Sequence, residues 1–270
     1  MLTADELETF ARDGIVKVPA VFSADDAAKM RDVLWAELAT RHGMDRDDRS
    51  TWTTLRPTGL KTTKTHRVAN AILGPRLRSA LDHLLGTWIE PPHHGQVLVT
   101  MPTGEPWSVP HRQWHTDVGF DAPMDELPAV KIWALLADLD PGGGGTPQVA
   151  GSHRVIAHHL STTDERDFTT IRDQVLRSHP WFRTLISPEE RSVEPGEVDG
   201  VAVRVVELTG RAGDVYLTHP WILHSVAPNA NDTPRMIRSR FIWKADQNAA
   251  TSRAQRTGSS VSPTDSPQSQ

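Results

Sequence analysis

From residue 95 onward the chain breaks into short apolar runs, each cut off by glycine, proline or aspartate: GQVLVTM, VKIWALLADLD, RVVELTG, DVYLTH and MIRSRFIW. Runs of this length and spacing read as strands, and their sequence predicts an antiparallel barrel or sandwich. The stretch before them has a different character. Thr3 and Glu6 form a capping box ahead of ADELETFARD, and Gly14 is placed to end that helix. IVKVPAVF follows as a strand. Ser23 caps a second helix over about residues 24 to 42, with Ala27, Met30, Val33, Leu34 and Leu38 on one side and Gly43 at its end. Residues 44 to 70 are polar and aperiodic, and PRLRSALDHLLG is a third helix opened by Pro75 and closed by Gly86.

The reading is therefore one domain over residues 1–246, with a helical shoulder over about 1–90 and a barrel over about 95–246. A charged, helical insert, TTDERDFTTIRDQVLRSHPWFRTL, interrupts the barrel over about 160–200 as a lid, a substrate wall or a plain structural excursion. The last stretch, 247–270, is rich in Ser, Gln and Pro, almost without large apolar residues, and reads as a disordered tail. The loop PGGGG at 141–145 lacks the Lys-Ser/Thr and the strand-to-helix context of a phosphate loop, so it reads as a turn.

Composition narrows the chemistry. With no cysteine, any metal must be held by His, Asp or Glu, and cysteine nucleophiles are excluded. The formal charge of -5, with Lys and Arg scattered rather than blocked, gives no electrostatic reason to expect nucleic acid. An acidic N-terminus and the lack of a long apolar run predict a cytoplasmic protein without a membrane span.

The candidate chemistry sits in WHTDVGF. Thirteen histidines and 34 Asp plus Glu yield roughly one or two HisxAsp/Glu pairs by chance, so His115 and Asp117 prove little alone. No other histidine has a carboxylate two positions on. On a strand, Val109, His111, Gln113, His115 and Asp117 share one face and Trp114 and Thr116 the other, so the pair can bind one ion. A third ligand comes from GDVYLTHPWILHSVAPNANDTPR, where His219 and His224 compete. Two imidazoles and one carboxylate with open positions is the donor set of non-haem Fe(II) oxygenases, whereas no HExxH helix supports a zinc hydrolase. In the last strand, Arg235 shares a face with Phe241 and Trp243 and wants a carboxylate, from the protein or from a bound dicarboxylate.

Taken together these stretches resemble the phytanoyl-CoA dioxygenase family of Fe(II)- and 2-oxoglutarate-dependent oxygenases. LTADELETFARDGIVKVPAVFSADDAAKMR is similar to the family's helix-strand-helix opening, HTD to its HisxAsp motif, GGGGTPQVAGSHR to the segment ending in Gly-Ser-His, and HSVAPNANDTPR to the distal motif. The resemblance covers about residues 2 to 245. It implies a mainly β fold with flanking helices, a double-stranded β-helix of the jelly-roll, cupin-like kind. It also implies Fe(II), 2-oxoglutarate and O2 as cofactor and cosubstrates, and His115, Asp117 and His224 as ligands, since His224 rather than His219 stands eleven residues before Arg235.

Arg235 is then the residue that holds the far carboxylate of 2-oxoglutarate, and Trp133, 16 residues beyond Asp117, a neighbour of the cosubstrate. Some members carry a serine two residues after the distal histidine. Here that position is Val226, and Ser225 is the candidate carried over. Lys61 and Gln113 are further candidate contacts. A carboxylate at position 117, where related halogenases have a small residue, implies hydroxylation, desaturation or ring closure of a small organic molecule. The alternatives are a barrel retained for ligand binding or interaction, and a cupin-like metal isomerase or hydrolase, which would not need Arg235.

Overall fold

The computed structural model describes residues 1–119, 126–165 and 167–245, and the expected tail lies outside them. The helical shoulder comprises α1 (Ala4–Asp13), β1 (Ile15–Val18), α2 (Ala24–His42), the short α3 (Thr62–Thr65) and α4 (Pro75–Leu85). Both arms of the Thr3/Glu6 capping box form, and Gly14 and Gly43 end α1 and α2 at φ 71° and 64°, where a Cβ would be strained. The barrel follows as β2 (Gln96–Thr100), β3 (Ala129–Leu135), β4 (Pro147–Ala150), β5 (Gly196–Val198), β6 (Val201–Glu207), β7 (Val215–Thr218) and β8 (Arg235–Trp243). Between β4 and β5 lie α5 (Ser152–Ser161), α6 (Phe168–Ser178) and α7 (Pro180–Leu185). The strand IVKVPAVF is shorter than its apolar run, because Ala20 takes φ 49° and breaks the extension.

Two antiparallel sheets result. The major sheet runs β1-β7-β3-β8-β2 and the minor one β4-β6-β5. Single bridges, Gln148 to His224 and His224 to His115, extend the minor sheet beyond β4. This is the antiparallel arrangement expected from the strand spacing, in the jelly-roll form that the family resemblance implied. Alternation sorts the side chains into three layers. Between the sheets lie Trp133, Leu135, Tyr216 and Ile237 from the major sheet against Ala150, Leu208 and Ile222. Outside the major sheet, Val99, Val130, Ile132 and Leu217 meet Met30, Leu34 and Leu38 of α2 and Leu77 and Leu81 of α4.

Outside the minor sheet, Trp114, Val149, Val203 and Leu223 meet Ile156, Ile171, Val175, Phe182 and Leu185. α5, together with α6 and α7 of the insert, thus packs against the back of the minor sheet. Among the described residues, no helix is long and apolar enough to cross a membrane.

Candidate metal centre

The segment leading to His115 is not the strand that alternation predicts. Pro102, Gly104, Pro106 and Pro110 deny it ladder donors and regular extension, and Gln113 sits at φ 60°. Its contact with the sheet is the bridge in which His115 and His224 exchange both backbone hydrogen bonds, at 3.0 and 2.9 Å. A left-handed turn followed by one bridge, not a run of alternating residues, therefore aims His115.

His115, Asp117 and His224 nevertheless converge, with one ligand atom of each within 4.8 Å of the others. His224 Nε2 is 3.1 Å from Asp117 Oδ2, and His115 Nε2 is 3.7 Å from Asp117 Oδ1. Donors bonded at about 2.1 Å to one ion at right angles stand about 3 Å apart, so these spacings suit a single small divalent cation. Each imidazole is also anchored from behind. His115 Nδ1 bonds the carbonyl of Gln113 at 2.8 Å, and His224 Nδ1 that of Ile222 at 3.0 Å. With Nδ1 as donor, Nε2 presents its lone pair to the cluster.

Burial holds the His224 imidazole below its ordinary pKa, with the Lys131 charge in support. Burial acts to raise Asp117, but Lys131 and His224 outweigh it and keep the carboxylate well below the usual range. A neutral imidazole beside an ionised carboxylate is the state that binds a metal.

Lys131 is the residue that sequence reasoning missed. Its ammonium contacts Asp117, lies 3.5 Å from His224 Nε2 and sits 4.0 Å above the Trp133 ring. Burial lowers its pKa and Asp117 partly restores it. The available signal was a lone lysine in VKIWALL, two residues from Trp133 and so on the same inward face. Asp117 and Lys131 open onto a cavity of about 420 Å³ that is also lined by Lys64, Pro92, His93 and Trp243.

Trp133 stands edge-on to His224 with centroids 5.4 Å apart, and its Nε1 donates to Thr218 Oγ1 at 3.0 Å. Arg235 opens β8, buried at 3% exposure. Its Nη1 donates to the Gly144 carbonyl at 3.0 Å while its Nε has no partner. The Gly142 and Gly145 amides occupy the nearby Glu207 carboxylate at 2.9 Å each, so the glycine loop serves Glu207. Burial, then Arg56, brings Arg235 down to about 10, with Glu207 opposing. A buried guanidinium with a spare N–H and one neutral acceptor fits a carboxylate ligand.

Other candidates lie elsewhere. The Ser225 hydroxyl donates to the Arg112 carbonyl at 2.7 Å, so it pins the preceding loop rather than facing the cluster beside His224. Gln113 contributes its carbonyl, with an exposed side chain, and the backbone of Lys61 donates to Glu37. His219 stacks on His153 at 4.8 Å, in a separate pair behind α1. Trp114 is buried in the outer layer, away from the ion site.

A family model described as Phytanoyl-CoA dioxygenase (PhyH) matches residues 10–237. L-proline trans-4-hydroxylase from Streptomyces griseoviridis is 30% identical over 135 residues, which is 49% of this chain and 45% of that enzyme; the match therefore spans less than half of the relative's length. HygX from Streptomyces hygroscopicus, solved with nickel and 2-oxoglutarate bound, aligns over 91% of this chain and 88% of its own at 16% identity and a TM-score of 0.56. SnoN, a non-haem α-ketoglutarate-dependent epimerase from nogalamycin biosynthesis, aligns over 89% and 82% at 17% identity and a TM-score of 0.53. At such identities the two solved structures speak for the fold.

Proposed function

Since the chain belongs to the phytanoyl-CoA dioxygenase family of Fe(II)- and 2-oxoglutarate-dependent oxygenases, we propose that it oxidises a C–H bond of a small organic molecule, by hydroxylation or by the related desaturation or ring closure. The observation that carries this reading is the convergence of His115, Asp117 and His224, with both Nδ1 atoms tethered so that both Nε2 atoms serve one ion. Bound Fe(II), with 2-oxoglutarate and O2, supplies an oxidant able to take hydrogen from an unactivated carbon, leaving succinate and CO2 as co-products.

The chain's own residues bind and exclude. His115, Asp117 and His224 would hold the ion, and the coordination positions they do not fill would be open to cosubstrate and O2. Arg235 holds the remote carboxylate, where its unpartnered Nε supports the assignment. Trp133, Leu135 and Ile237 wall the interior against water. Lys131 stands beside Asp117 at the mouth of the adjoining cavity, which would admit the substrate. The curated relative's name, an L-proline hydroxylase, supports a compact organic substrate.

The test is succinate release. Protein loaded anaerobically with Fe(II) and 2-oxoglutarate, then exposed to air with a panel of amino acids and small metabolites, should release succinate with at least one of them. Asp117→Ala should fall to background. Equal rates for variant and wild type would remove the metal assignment.

A further inference from the structure

Gln148 is completely buried, and neither its Nε2 nor its Oε1 has a hydrogen-bond partner. Native interiors rarely leave a carboxamide unpaired, so the group calls for a ligand or another specific explanation. Its direction is fixed by its neighbours on β4. Val149 belongs to the outer layer and Ala150 to the layer between the sheets, so Gln148 points inward with Ala150. Its cross-strand partner on one side, Val206, packs in that inner layer, and on the other side it bridges His224. The amide therefore stands next to a proposed metal ligand.

Four residues upstream on the same segment, the Gly144 carbonyl takes the hydrogen bond from Arg235. Across the interior, Ser239 is paired with Trp133 on the major sheet, and its hydroxyl also lacks a partner. The Gln148 amide, the Arg235 Nε and the Ser239 hydroxyl are thus unpartnered groups on the facing inner surfaces of two sheets. All three can donate, and an ionised keto diacid offers only acceptors. The cavity that Asp117 and Lys131 open onto is lined by Ser239 but by neither Gln148 nor Arg235, so those two donors stand apart from it.

We propose that Gln148 is a cosubstrate-positioning residue, whose Nε2–H donates to a carboxylate oxygen of 2-oxoglutarate on the deep side of His224. This rests on the oxygenase reading and adds a residue to it. The Gln148 carboxamide and the Arg235 guanidinium then hold one molecule from opposite sheets, and ligand binding closes the vacancy in the hydrogen-bonding of β4.

The experiment is an anaerobic titration of the Fe(II)-loaded protein with 2-oxoglutarate, read by the visible charge-transfer absorption of the chelate, beside thermal unfolding of the ligand-free protein. Gln148→Leu and Gln148→Met keep the bulk and remove the donor. Each should weaken 2-oxoglutarate about tenfold, the worth of one hydrogen bond, while the ligand-free melting temperature stays level or rises. Gln148→Glu, which sets like charges together, should weaken it further. A purely structural glutamine predicts the reverse, a lower melting temperature with unchanged affinity, and that result overturns the proposal. If the wild type itself develops no absorption, the oxygenase reading falls and takes this inference with it; if the wild type responds and the Leu and Met variants titrate like it, Gln148 alone is wrongly assigned.

Discussion

Arg235 illustrates how a single side chain can be structurally inconvenient and functionally apt. A guanidinium at 3% exposure with one neutral acceptor and a spare Nε carries a desolvation cost that no described protein carboxylate offsets directly. A bound diacid would supply the missing charge bidentately. Arg235→Ala should therefore raise the 2-oxoglutarate concentration needed for half-maximal succinate release on the order of a hundredfold, while the iron requirement moves little. Parallel shifts in the two titrations would mark the arginine as structural. At this scale the sequence is legible where a spacing or a motif speaks. HTD and the eleven residues from His224 to Arg235 single out the converging residues, and His219 does lie apart, against His153. Lys131 and Gln148 were hidden because each is a polar residue inside a run whose apolar neighbours read as core. For Lys131 the two-residue spacing from Trp133 was the available cue, and for Gln148 it is the backbone bridge to His224 that brings the residue beside the ligands.

At the scale of elements, caps and periodicity were dependable, and tertiary constraint was not. Thr3, Ser23 and Pro75 open helices where local chemistry says they must, because capping is satisfied within a few residues. The approach to His115 failed as a strand because its prolines leave only one bridge to the sheet. The insert over 160–200 could be read from its sequence as lid or as structure, since an amphipathic helix does not state which surface it covers. Its described helices cover the outer face of the minor sheet, the sheet extended by the His224 and His115 bridges. Phe182 on α7, fully buried there, is the decisive probe. Phe182→Ala should cost about 3–5 kcal/mol of stability, measurable by urea unfolding followed through tryptophan fluorescence, and should loosen iron binding as the sheet loses its backing. A lid would behave otherwise, altering the KM for substrate with stability intact.

Across the whole molecule, the shoulder and the barrel are joined at Asp13, the last residue of α1. Its carboxylate takes Arg204 of β6 at 2.7 Å and Arg12 at 3.0 Å, and its carbonyl accepts from the Gly151 amide at the entry to α5. Burial works to raise this carboxyl, but the hydrogen bonds and charges of Arg204 and Arg12 outweigh it and bring it down to about 2. Behind it, burial holds the His153 imidazole down at about 4. Both groups have a folded pKa below the unfolded one, so each contributes stability that is complete above its unfolded value and lost as pH falls through the folded value. For His153 the window runs from about 6.5 to about 4, and for Asp13 from about 3.8 to about 2. Acid destabilisation should therefore come in two stages. Asp13→Asn, which keeps the shape and removes the charge, should lower the melting temperature by a constant amount between pH 7 and pH 5, and the gap from wild type should close between pH 4 and pH 2. Melting curves for the two proteins at pH 7, 5, 4, 3 and 2 decide it. A gap that stays constant down to pH 2 would mean that Asp13 joins the layers by shape alone and that its ionisation contributes nothing to the link between the helical shoulder and the sheet that carries the metal site.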